Sequence, residues 1–121
     1  MGTRCVITFR DGDEAYSVYQ HWDGNPETVI ENIRTTRNCW AWPRWEADEF
    51  AAAYIATHKT GAGNIRLSVG PDGHGDLSYI YEVTAELVKG KRLLWLTVTD
   101  MGDEHGEAET FLIEPPQTVA A

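Results

Sequence analysis

The chain has 121 residues, 42% of them hydrophobic, and carries ten Lys and Arg against nineteen Asp and Glu, a formal net charge of −9. Length and apolar content suit one domain with its own core, and they exclude a disordered chain or one that depends on disulfide staples. The charge argues against a general grip on a phosphate backbone or on anionic lipid, and leaves solubility, attraction to a basic protein surface, or a carboxylate metal cluster.

From the N-terminus, "TRCVITFRDGDEAYSVYQHW" reads as a β-hairpin. Cys5, Ile7 and Phe9 alternate along the first strand and Tyr16 and Val18 along the second, so these five share a face. Asp11-Gly12-Asp13 supplies the turn. The period then changes. Asn25 suits an N-cap and Pro26 the first helical position, and Val29, Ile30 and Ile33 form one apolar stripe that fades near Thr35 to Asn38. A second helix is expected after Pro43, with Phe50, Ala53, Tyr54 and Thr57 at helical spacing, His58 and Lys59 at its negative end and Gly61 and Gly63 to stop it. The remainder reads as strands: "NIRLSV" with Ile65, Leu67 and Val69 alternating, "SYIYEVTAEL" after the glycine-rich loop "GPDGHGDL", "LLWLTVTD" after the turn "VKGKR", and a last strand "TFLIE" after an acidic loop. The order ββααββββ predicts an α+β domain over 1–114, an antiparallel sheet of five or six strands with both helices on one face, and a frayed tail over 115–121.

Cys5 and Cys39 form no Cys-x-x-Cys pair, and two buried thiols are the expectation rather than a disulfide. The N-terminus has neither an apolar core with a cleavage site nor a myristoylation pattern, and no apolar run reaches a membrane span, which points to the cytosol.

Met1 to Glu27 resembles the start of a family of small proteins of phages, prophages and bacteria. That family opens Met-x-Thr-Arg and ends its second strand Tyr-x-His-Trp-Asp-Gly-Tyr-Pro. Thr3, Arg4, Tyr19, His21, Trp22, Asp23, Gly24 and Pro26 match, and Asn25 stands where the family has tyrosine. Gly75, Asp76, Tyr79 and Tyr81 echo a later Gly-Asp-x-x-Tyr-x-Tyr element. The resemblance implies a phage or mobile-element origin, and it supplies no catalytic residue.

His21 and Asp23 have two readings. As a site, they share a face if the strand continues, and with Tyr19, Asp76 and loop residues Asp72, His74 or His105 they make a ligand pocket, a metal pair or a base with its orienting acid. As a turn, Asp23 bonds backbone amides, Gly24 takes positive φ and Trp22 packs under the helix. Asp72-x-His74-x-Asp76 lacks a second ligand cluster, and the glycine-rich loop lacks the Gly-Lys-Ser/Thr of a phosphate loop. No nucleophile motif surrounds Ser17, Ser68 or Ser78, and Cys39 reads as a packed thiol.

Five tryptophans is a high count for this length. In "CWAWPRWEADEF", Trp40, Trp42 and Trp45 cannot all face one core at regular spacing. Beside Arg44 and Glu46 they read either as an interface anchor or as a loop folded over the sheet. Asp103 and Glu104 add negative charge. The leading expectation is therefore a binding protein of phage or mobile-element origin. It docks through these residues on a basic host protein, such as a nucleic-acid-binding or CRISPR-type defence component, in the host cytoplasm. No cofactor, metal, membrane or direct nucleic-acid contact is expected, and self-association as a homodimer is open. The alternatives are a small-molecule or nucleotide binder, or a weak metal-dependent hydrolase, at Tyr19, His21, Asp23 and Asp76, and a structural component of a particle.

Overall fold

The computed structural model describes residues 3–38, 45–70, 74–102 and 108–113. The expectations for Cys39, Trp40, Trp42, Arg44, Asp72, Asp103, Glu104, His105 and the 115–121 tail fall outside the described residues.

β1 (Cys5–Asp11) and β2 (Glu14–Gln20) form the expected hairpin. Its turn needs a left-handed residue, and Gly12 provides one at φ 61. The register sets Cys5 opposite Gln20, Ile7 opposite Val18 and Phe9 opposite Tyr16. α1 (Pro26–Thr36) starts on Pro26 as its composition predicts. Asn25 occupies the N-cap position with extended backbone, but its side chain makes no capping bond. α2 (Ala47–His58) begins after an extended Glu46, and Pro43, which suits a first helical position, lies outside the described residues. Phe50 and Tyr54 of α2 bring their rings to 5.6 and 5.7 Å from Phe9, which fixes the helix over β1 and β2.

Four further strands complete the sheet: β3 (Ile65–Ser68), β4 (Tyr79–Val88), β5 (Lys91–Asp100) and β6 (Ala108–Ile113). Lys89 and Gly90, both at positive φ, close the tight β4–β5 turn. The spatial order is β3-β2-β1-β4-β5-β6. The domain is α+β with the element order expected. The sheet is mixed rather than antiparallel throughout, because β1 and β4 pair in parallel with Ile7 opposite Tyr81. The hairpin and β3 fill one side of β1. β4 then takes the open side, and its direction is set by the crossover from β3 rather than by a hairpin.

One face of the sheet carries the core. Cys5, Ile7, Phe9, Val18, Tyr81, Val83, Leu94 and Leu96 meet Val29, Ile33, Phe50 and Tyr54 from the helices, all buried. The opposite face at the hairpin is closed by polar contacts, among them Thr8 to Ser17 at 2.8 Å across the strands. Ile65, Leu67 and Val69 share a side by period, yet Ile65 alone is buried. α2 lies over β1 and β2, which leaves Leu67 and Val69 82% and 104% exposed on the edge strand and just past its end.

Candidate functional site

The end of β2 at Gln20 is where the conspicuous residues collect. Period two aims Gln20 into the core face beside Val18, a position where the pattern calls for an apolar side chain. The amide is fully used there. Its Nε2 donates to the carbonyls of Trp22 and Asp23 at 3.1 and 2.9 Å, and its Oε1 accepts the Tyr54 hydroxyl at 2.6 Å. The Tyr54 oxygen in turn accepts Asn32 Nδ2 at 3.2 Å. A chain of buried polar groups thus ties the turn to both helices, each bond contributing about 1 kcal/mol.

The turn is built differently from the expectation. Asp23, not Gly24, takes the left-handed conformation, at φ 60. The Gln20 side chain, rather than the Asp23 carboxylate, satisfies the turn backbone. Trp22 is 41% exposed instead of lying under the helix. Gly24 is required for space: a Cβ there would sit 2.7 Å from the Thr3 carbonyl and 2.8 Å from Cys5 Sγ. Its amide donates to Thr3 and its carbonyl accepts the Tyr81 hydroxyl at 2.6 Å.

Because β2 stops at Gln20, His21 and Asp23 are not two residues of one continuing strand. Tyr19 and His21 do come together, hydroxyl to Nδ1 at 2.8 Å. His74 from the glycine-rich loop stacks on the Tyr19 ring at 4.6 Å and an interplanar angle of 5°. Asp76 pairs instead with Arg4 at 3.6 Å on the surface. Among the described residues no group of three or more His, Cys, Asp or Glu is placed to hold a metal ion.

Ser68 and His74 Nε2 lie 2.8 Å apart, the spacing of a nucleophile and its base. The remaining bonds assign other roles. Ser68 Oγ donates to the Gly70 carbonyl at 2.7 Å, and so accepts from His74 Nε2 and from the Gly70 amide. A hydroxyl proton directed at a carbonyl is not within reach of that imidazole. Cys5 is buried, and burial pushes its thiol up to about 12, so it stays protonated and unreactive near neutrality. Burial likewise raises the phenols of Tyr54 and Tyr81.

Asp23 faces a separate feature, a cavity of about 190 Å³ between the turn, α1 and the C-terminal end of α2. Gln20, Trp22, Asn32, His58 and Asn64 share its wall. His58 Nε2 lies 3.0 Å from the Asn32 carbonyl, so Nε2 carries the proton. Burial holds this imidazole below its usual pKa. Asn64 is 5% exposed, donates to the His58 carbonyl at 3.1 Å, and leaves its own Oδ1 without a partner. Asn32, His58 and Asn64 are site residues that motif spacing does not reveal.

Trp45 packs its ring 5.2 Å from Phe50 at the margin of the core, half-buried, with its indole nitrogen enclosed. Glu46 is exposed at the start of α2. Beyond them, Tyr16, Leu67 and Val69 line an open apolar groove at the β2–β3 edge. Two carboxylates act on its ring: Glu14, and to a lesser degree Asp48 on the first turn of α2, raise the pKa of the exposed Tyr16 phenol. No helix among the described residues is long and apolar enough to cross a membrane. The chain matches no protein-family model, and neither a search of curated proteins nor one of solved structures finds a match.

Proposed function

We propose that this chain acts by binding rather than by catalysis, docking on a protein with a basic surface. The observation that carries the reading is the β2–β3 edge. Leu67 and Val69 stand fully in solvent on an open strand edge, beside an aromatic ring that feels two carboxylates. An exposed apolar strip on an unpaired edge is a liability that proteins ordinarily blunt with charge or cover. Here Glu14 and Asp48 act on Tyr16 at one side of the strip, which suits a partner offering apolar contact beside positive charge. The net charge of −9 steers such an encounter from a distance.

The docking surface is centred on Tyr16, Leu67 and Val69, with Glu14 and Asp48 near its aromatic ring. Trp45 packs against Phe50 at the margin of the core, half-buried, and is not part of this surface. The N-terminal resemblance to phage and prophage proteins favours a partner in the host cytoplasm. A nucleic-acid-binding protein, including a CRISPR-type defence component, has the basic surface the reading needs.

A photo-crosslinking residue at Val69 tests this in host lysate, with one at Leu87 as control, an exposed apolar position at the far β4–β5 turn. The expected result is a discrete adduct with a basic protein from position 69 and none from 87. No adduct at 69, or equal adducts from both positions, overturns the reading.

A further inference from the structure

The cavity beside the turn lies at the other end of β2 from the docking edge, four residues or about 13 Å along the strand. Its polar groups are unevenly committed. Four of the donor groups are engaged: Gln20 Nε2 by the turn carbonyls, Asn32 Nδ2 by Tyr54, Asn64 Nδ2 by the His58 carbonyl, and His58 Nε2 by the Asn32 carbonyl. The acceptors are left over. Asn64 Oδ1 is buried without a donor, and among the described residues none donates to Asn32 Oδ1 or His58 Nδ1. Asp23 adds a carboxylate, and among the described residues no lysine or arginine shares the wall.

Thr28 of the wall lies on the first turn of α1, whose pole is positive, but two features beside the spare acceptors favour a cation. The C-terminal end of α2, at His58, presents the negative pole of its helix. Trp22, 41% exposed, supplies an aromatic face, which attracts cations. A carboxylate, spare amide oxygens, a neutral imidazole and an indole together repel an anion and receive a cation rich in N–H groups.

We infer that this cavity is a binding site for a guanidinium group, with Asp23 as its charge partner and Trp22 as its stacking wall. A guanidinium is flat and carries five N–H donors in fixed directions, which suits acceptors drawn from a turn, α1, the end of α2 and the loop that follows it. An ammonium is compact and strongly hydrated, and stacks less well. The group can arrive on a small molecule or at the end of an arginine side chain of a partner. The cavity does not depend on the edge reading, since it shares no wall residue with the β2–β3 groove.

Titration of the ¹⁵N-labelled chain with methylguanidinium, capped Gly-Arg-Gly and capped Gly-Lys-Gly tests this. The result expected is saturable shifts of the Trp22 indole and the Asn32 and Asn64 side-chain amides with the first two probes. Asp23→Asn should weaken binding at least about tenfold, the loss of one charge-assisted contact. Asparagine accepts the positive φ of this position, so the turn is retained. Tighter binding of the peptide than of methylguanidinium assigns the site to a partner's arginine, and equal binding to a free molecule. No shifts up to roughly 10 mM, shifts unchanged in Asp23→Asn, or equal binding of the lysine peptide overturns the inference.

Discussion

Gly24 shows how tightly the turn is held at the scale of single residues. The nearest obstacles to a side chain there are a backbone carbonyl and the root of a buried cysteine, neither of which can swing away. Gly24→Ala should therefore cost about 2–3 kcal/mol, at the upper end for overpacking, read as a lower urea midpoint. His58 gives a pH signature. Its pKa is lowered in the folded chain by burial. As pH falls, the unfolded chain takes up this proton first, so the stability it contributes is complete above about pH 6.5 and is lost as pH drops through the folded value. In His58→Gln that dependence should flatten, measured as the urea midpoint between about pH 5 and 7.5. The motif Tyr-x-His-Trp-Asp-Gly drew attention to this turn correctly, but misassigned its parts. The positive φ fell on Asp23 because Gly24 was needed for space, a tertiary contact with Thr3 and Cys5 that no local pattern carries. Gln20 was legible in principle: it is a polar side chain on a face where Tyr16 and Val18 set an apolar rhythm.

Among the elements, those with strong local period were readable and those fixed by distant partners were not. The hairpin, the faces of β1 and β4, and the start of α1 at Pro26 follow from alternation and the fixed φ of proline. The parallel pairing of β1 with β4 does not, since two strands some seventy residues apart carry no local sign of their relative direction. Nor did alternation in β3 tell that Leu67 would lie beyond the reach of α2. That exposure yields a prediction for the element. The pair Leu67→Ser and Val69→Ser removes little buried area, so thermal stability should stay within about 0.5 kcal/mol of the parent. A loss of several kcal/mol would mean the edge is covered in the folded chain.

For the molecule as a whole, charge and buried protons act in different pH ranges. Cys5, held up to about 12 against an ordinary 9.0, and the buried phenols of Tyr54 and Tyr81 all stay protonated inside. The unfolded chain releases these protons first. Stability is therefore full below about pH 9 and falls as pH rises through the folded values. Urea midpoints that stay flat from about pH 8 to 11 would contradict the burial of these groups. Near neutrality, the acidic surface is the dominant long-range feature. Its attraction to a basic partner weakens as salt shortens the screening length to about 8 Å at physiological ionic strength.

The central claim combines that charge with the exposed edge, and one measurement addresses both. Tagged parent and the Leu67→Ser/Val69→Ser pair are used to capture a partner from host lysate at low and high salt. A basic protein should be retained by the parent at low salt, released at high salt, and absent from the folded double variant. Retention of the same partner by the double variant, or binding indifferent to salt, would contradict it.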